Sequence, residues 1–232
     1  MPGPLEYFIW FVGILCEAAV VVCALKRGAF KRYLFLNVYM ASLVAVEIAR
    51  FEIHSHYGNP SLQYAYFYYY SDAVLTILLY CALSSLYSQV FSELNAERYV
   101  KMGALLLLGG TALFTYAVVL QSSERLVTQF VYALSQNLYF VGLVLTYVLW
   151  GAILKLRETR AQLVQFVLSL GVYFSIFAAN YAVMNLYPSL SHIAGPLAQV
   201  FGLFLPLAWV YAFWHLPGEA RLAPARLAVI PR

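Results

Sequence analysis

Apolar residues along this chain run in blocks separated by short polar breaks. The blocks fall at roughly 5–25, 33–54, 63–91, 102–121, 128–154, 162–186 and 193–214, each bounded by charges, Gly or Pro. The hydrocarbon core of a bilayer takes about 20 residues of α-helix, and a helix satisfies its own backbone while crossing it. The pattern therefore predicts an all-α fold, a polytopic bundle of seven transmembrane helices over 1–216, followed by a short basic tail at 217–232. Breaks this short make each helix run antiparallel to the one before it. The third and fifth blocks exceed the minimum length, which predicts tilt or protrusion.

Composition narrows the class. The chain is 63% hydrophobic and only 10% charged, with a mean hydropathy of +0.76, whereas soluble domains carry about 25% charged residues. Spans and tight loops consume the length, so one membrane domain and no soluble catalytic module is expected. Cys16, Cys23 and Cys81 all lie inside apolar blocks, which argues against a disulfide framework. The opening MPGPLEYFIWFVG has no basic n-region and reads as an uncleaved first span.

The charges then orient the chain. Lys26, Arg27, Lys31, Arg32, Arg98, Lys101, Lys155, Arg157, Arg160, Arg221, Arg226 and Arg232 fall on one side of the predicted membrane, and only Arg50 and Arg125 on the other. Cytoplasmic loops are enriched in Lys and Arg, so the N-terminus is expected outside and the C-terminus in the cytoplasm. The basic, Pro-punctuated tail suits either anionic headgroups or a docking partner.

Polar residues inside the spans are costly and mark candidate sites. The third span opens YAYFYYYSDA, with Asp72 on a helix face shared with Tyr68, Tyr69 and Thr76. Glu47 and Arg50 lie late in span two, with His54 on the same face. Gln136 and Asn137 lie early in span five, Asn180 late in span six and Gln199 early in span seven. By helix rise these groups share the outer half of the membrane. Arg50 is expected to pair with Glu47, Asp72 or both, since an isolated charge at that depth is penalised. The set fits two readings: an internal network that fixes helix register, or a Tyr-lined ligand or ion pocket. Glu17 stands apart, towards the inner side of span one. Paired with Ser84, Ser85 or Ser88 it would be a possible proton relay; otherwise it is a protonated, hydrogen-bonded carboxyl. Pro206 predicts a bend in span seven.

Most chemistries fail on residue types. His54, His56 and His192 fall in or near outer loops and lack the paired span-seven histidines of membrane-embedded zinc hydrolases, so no metal site is expected. A retinal Schiff base needs a lysine in the last span, and 180–215 contains none. No phosphate loop, haem attachment or Ser-His-Asp arrangement occurs. No cofactor and no catalytic residue is predicted, and the chain is expected not to be an enzyme.

The segment YFYYYSDA, the basic first loop and VYALSQNLYF resemble a loosely defined group of seven-helix bacterial membrane proteins. The resemblance implies the fold and a bacterial inner-membrane location, and carries no activity. The function expected from the residues is a sensory or receptor-type membrane protein acting through a separate protein partner. The alternatives are a structural subunit of a larger membrane complex and, third, a small-solute or proton transporter using Glu17 and Asp72.

Overall fold

The computed structural model describes residues 4–57, 61–91, 97–119, 126–156, 160–187 and 191–216. Arg125, Arg157 and the tail at 217–232 lie outside the described residues, as do the side chains of Arg98, Lys101 and His192. All regular structure among the described residues is helical: α1 Pro4–Lys26, α2 Leu34–Tyr57, α3 Leu62–Val90, α4 Glu97–Val119, α5 Leu126–Leu156, α6 Ala161–Leu186, α7 Ser191–Gly202 and α8 Phe204–His215. Six stretches are long and apolar enough to cross a membrane, in α1, α2, α3, α5, α6 and the run Leu197–His215. The described side chains of α4 give a shorter apolar stretch, Met102–Ala117. Large apolar side chains lie exposed around the helices, among them Leu106 at 73% and Leu154 at 79%. Such a surface is stable against lipid and not against water, so the chain is a multi-pass membrane protein.

The last predicted span is where the helix boundaries depart most from expectation. One bent helix was expected over 193–214, and two twelve-residue helices meet at Leu203 instead. Pro206 has no N–H to give and its ring crowds the carbonyl of Gly202, four residues back. The backbone answers with a tightened turn in which Leu203 N–H donates to Val200 O at 3.2 Å. The other unforeseen detail ends α1. Gly28 takes φ +65°, with Ala29 N–H donating to Ala24 O and Gly28 N–H to Leu25 O. This is a Schellman cap, which needs a residue that tolerates the left-handed region.

Packing follows a closed circuit: α1 on α2, α2 on α3, α3 on α5, α5 on α6, α6 on α8, and α8 back on α1. Helix α4 lies outside it, against α5 and α3. Cross-helix contacts fix the directions. Arg50 meets Ser71 while Gln89 meets Arg32, so α2 and α3 are antiparallel. Tyr87 O–H donates to Leu145 O and Tyr80 packs on Leu138, so α3 and α5 are parallel. Gly13 abuts Leu203 and Arg27 reaches Trp214, so α1 and the last span are parallel. Helices α5 and α6 approach closely because each carries a glycine where the other carries a ring. A Cβ on Gly142 would sit 2.5 Å from Phe174, and one on Gly171 would sit 2.4 Å from Trp150.

The half of the circuit towards the end of α1 and the start of α2 is dominated by apolar residues. Leu36, Met40, Leu79, Leu83, Leu86, Leu149, Leu163, Phe166, Trp209 and Phe213 are all essentially inaccessible. At that end polar side chains close helix termini. Gln162 Nε2 donates to Ala212 O at 3.3 Å, Arg27 Nη2 to Trp214 O at 2.7 Å, and Arg160 Nη2 to Gln89 O at 2.8 Å. Trp214 O and Gln89 O lie in last turns with no intrahelical donor for them, whereas Ala212 O also accepts from Leu216 N–H at 3.3 Å.

Candidate functional site

The opposite end, where α2 finishes and α3 begins, gathers the buried charge. Ser61 caps α3 by accepting from Tyr64 N–H at 3.2 Å, which sets the register of the Tyr-rich first turns. That register aims Ser71 and Tyr68 at Arg50 of α2, which is 7% exposed. Arg50 Nη1 donates to Glu47 Oε1 at 2.9 Å. Its Nε and Nη2 donate to Ser71 Oγ at 3.2 and 2.9 Å, and Nη2 also to Tyr68 O at 3.3 Å. The guanidinium lies 4.3 Å from the centroid of the Tyr68 ring. Every edge of the fork is thus engaged, as a buried cation requires.

The expected pairing of Arg50 holds for Glu47. Asp72 forms no ion pair with Arg50 among the described residues, although it lies within electrostatic range of it. One residue explains the difference: Ser71, absent from the sequence prediction, occupies the guanidinium edge facing α3. Asp72 turns instead towards α5, where Ser135 lies against it. Ser135 is 1% exposed, and its hydroxyl gives the Asp72 carboxyl a side-chain hydrogen bond.

The remaining predicted residues divide. Tyr69 stacks edge-on against Tyr68, ring centroids 5.9 Å apart. Thr76 is buried on the Asp72 face, but its hydroxyl donates to the Asp72 carbonyl at 2.8 Å and not to the carboxyl. Asn137 faces away, donating to Thr115 Oγ1 of α4 at 2.9 Å. Asn180 bonds within its own helix, to Met184 Sδ at 3.6 Å. Gln136 is half-buried and Gln199 exposed, and neither has a hydrogen-bond partner among the described residues. Of the residues placed at one depth, therefore, α2 and α3 supply the cluster, while Asn137 joins a packing contact.

Glu17 had two alternatives, a relay with the α3 serines or a lone carboxyl. Ser84 and Ser85 donate to Tyr80 O and Ala82 O of their own helix. Helix α1 packs chiefly on α2 and α8. Glu17 is 8% exposed, lies within electrostatic range of Glu47, Arg50 and Tyr39, and its Oε2 has no partner among the described residues. Two further buried polar atoms near this end are unpartnered: Trp10 Nε1, whose ring meets Phe51 at 5.6 Å, and His54 Nδ1, whose ring meets Tyr64 at 5.3 Å. His56 is exposed, 3.6 Å from Glu52. No group of three His, Cys, Asp or Glu among the described residues is arranged to hold a metal ion.

Sequence reasoning missed the layer beneath. The hydroxyls of Tyr139, Tyr173 and Tyr39 are hydrogen-bonded in series, joining α5, α6 and α2. All three side chains are buried, and both Tyr139 and Tyr173 feel the charge of Asp72. Rings of Phe177 and Tyr181 complete the group, with Tyr139 stacked on Phe177 at 5.5 Å and Tyr173 4.4 Å from Phe177. A signal was present: Tyr39 precedes Arg50 by three helical turns on one face, and Tyr139 follows Ser135 by one turn.

Comparison of the chain with protein-family models, with curated proteins and with solved structures gives no match, so the site stands on its own geometry.

Proposed function

We propose that this chain is a receptor-type, non-enzymatic membrane protein that binds a small polar ligand in the outer half and acts through a separate protein partner. In this reading α4 is the seventh span, since Glu97–Val119 provides enough helix and only part of its side chains is counted in its apolar stretch. The N-terminus is outside and the last helix ends at the cytoplasm of a bacterial inner membrane. Support comes from Lys26, Arg27, Lys31, Arg32, Lys155 and Arg160, which belong to one end of the molecule, opposite Arg50.

The observation that carries the reading is the contrast within the cluster. Arg50 is engaged by Glu47, Ser71 and Tyr68, whereas Glu17 Oε2, Trp10 Nε1 and His54 Nδ1 are buried and have no partner among the described residues. A network whose only task was to fix register would satisfy its members, because each unmade buried bond costs about 1–3 kcal/mol. Buried polar groups left without partners around one ion pair are what a ligand uses. The apolar inner half gives such a site a floor, which favours binding over transport.

The test is a thermal-shift screen of the detergent-solubilised full chain against small polar compounds of each charge, alongside gentle affinity purification. Stabilisation that is lost in Ser71→Ala, with a companion polypeptide in the purified material, is the expected result. A chain stabilised by no compound, or one that turns over a substrate alone, overturns the reading.

A further inference from the structure

The charge and ring content of the outer half name the class of ligand, an inference that rests on the receptor reading above. Among the described residues the cluster holds three carboxylic acids, Glu17, Glu47 and Asp72, against one cation, Arg50. The pair Arg50–Glu47 balances itself. That leaves Asp72 and Glu17 with no cation of their own; a buried carboxyl in that position favours its neutral form until a cation is placed beside it.

An anion finds little to meet, because Arg50 is engaged by Glu47, Ser71 and the Tyr68 carbonyl and is outnumbered by acids. A hard metal ion is equally poorly served. It needs six or so oxygen ligands, and no acid, His or Cys triplet is arranged for one among the described residues. What flanks Asp72 is aromatic. Ser135 places α5 against the Asp72 carboxyl, and Tyr139 projects from the same face of α5 one turn on. Around Tyr139 stand Tyr173, Phe177 and Tyr181 at centroid separations of 6.4, 5.5 and 5.5 Å. A carboxylate beside a group of aromatic rings is the arrangement that recognises an ammonium ion, through charge pairing at one point and cation–π attraction around it. The protein already uses this attraction a few residues away, where Arg50 lies over Tyr68.

A second observation is independent of the acids' number. Glu17, on the α1 side, and Ser135, on the α5 side, are more than nine-tenths buried; Glu17 Oε2 has no partner among the described residues, and the Ser135 hydroxyl donates to the Asp72 carboxyl while its own oxygen accepts from no described donor. Ser135 faces Asp72, and Glu17 faces the Glu47–Arg50 pair. These are acceptors for N–H groups that no described side chain supplies. We propose that the outer half is a binding site for an organic ammonium ion, with Asp72 as counter-ion, Ser135 as acceptor and the Tyr139, Tyr173 and Phe177 rings as its wall.

The test uses the full chain in mild detergent and three probes: methylammonium, tetramethylammonium and 2-phenylethylammonium chlorides. Controls are 2-phenylethanol, which has the shape of the third without its charge, and sodium chloride at matched ionic strength. Unfolding temperature and tryptophan fluorescence are followed against concentration. At least one ammonium probe is expected to saturate and stabilise, with neither control doing so. Asp72→Asn, which keeps shape and removes the counter-ion, is expected to weaken binding about tenfold or more. Phe177→Leu, which keeps bulk and removes a ring, is expected to weaken it severalfold. Equal stabilisation by the alcohol or by sodium overturns the assignment, as does full binding in Asp72→Asn or silence from all three probes. If a neutral or anionic compound stabilises the chain where ammonium ions do not, the receptor reading stands and the ammonium site falls. If no compound of any charge acts, both fall together.

Discussion

Arg50 holds its guanidinium 4.3 Å from the centre of the Tyr68 ring while its Nη2 donates to the carbonyl of the same residue at 3.3 Å. One tyrosine thus meets the cation with its face and its backbone together, and Ser71, three residues on, takes the other edge. The α2–α3 contact is therefore fixed by a charged residue and not by apolar packing alone. Exchange of Arg50 for lysine would lose the planar fork on which all of these bonds depend.

The first prediction follows from that pair. Arg50→Met leaves Glu47 charged and half-buried, and removing one partner of a buried ion pair costs about 3–5 kcal/mol. The double variant Arg50→Met/Glu47→Met should cost clearly less than the two single losses combined. Unfolding in detergent measures all three variants, and additive losses would show that the pair does not act as a unit.

A second concerns the α5–α6 seam. Gly171→Ala places a methyl 2.4 Å from the Trp150 ring, so either the ring or a helix must move, and such overpacking costs about 1–3 kcal/mol. Gly110→Ala on α4 meets nothing within 4 Å and should be neutral. Equal melting temperatures for the two variants would contradict the close approach.

Third, the α1 cap predicts that Gly28→Ala is destabilising although the added methyl touches nothing. The left-handed φ of +65° costs a residue with a Cβ about 1–2 kcal/mol. Gly28→Asn should recover part of the loss, because Asn tolerates that region. A melting temperature unchanged in Gly28→Ala would rule the cap out as a stabilising feature.

The fourth tests orientation. In a chain with Cys16, Cys23 and Cys81 replaced by Ser, a cysteine at Ser55 should react with a membrane-impermeant maleimide in intact cells. One at Lys31 should react only after lysis, since the proposed orientation puts the basic loops in the cytoplasm. Both positions are exposed. The reverse labelling pattern would place the polar cluster on the inner side.

Much of the fold was legible because membrane helices announce themselves by composition. The predicted 162–186 and 63–91 differ from α6 and α3 by about one residue at their ends. Periodicity also put Glu47 and Arg50 together, since partners three residues apart on one helix need no tertiary knowledge. What sequence could not supply was which helices touch. Asn137 shares a depth with Asp72, yet it faces α4 because α4 packs outside the circuit. Of the serines offered as partners for Glu17, Ser84 and Ser85 spend their hydroxyls on their own helix. Tyr39, Tyr139 and Tyr173 read as ordinary aromatics in three separate spans, and only packing joins their hydroxyls.

The circuit of helices has a consequence for how the protein comes to exist. Its last seam joins α8 to α1, the latest-made described helix to the earliest, and α3 must wait for α5 while α4 passes outside. Until that seam forms, the flank of α1 at Gly13, against which Leu203 will pack, lacks its neighbour in the nascent chain. Pairings so distant in sequence form late, and unfinished intermediates are the ones that cellular surveillance removes. A ribosome that stalls before Phe204 should therefore leave a polypeptide that inserts its early helices and is then degraded, never a smaller version of the same site.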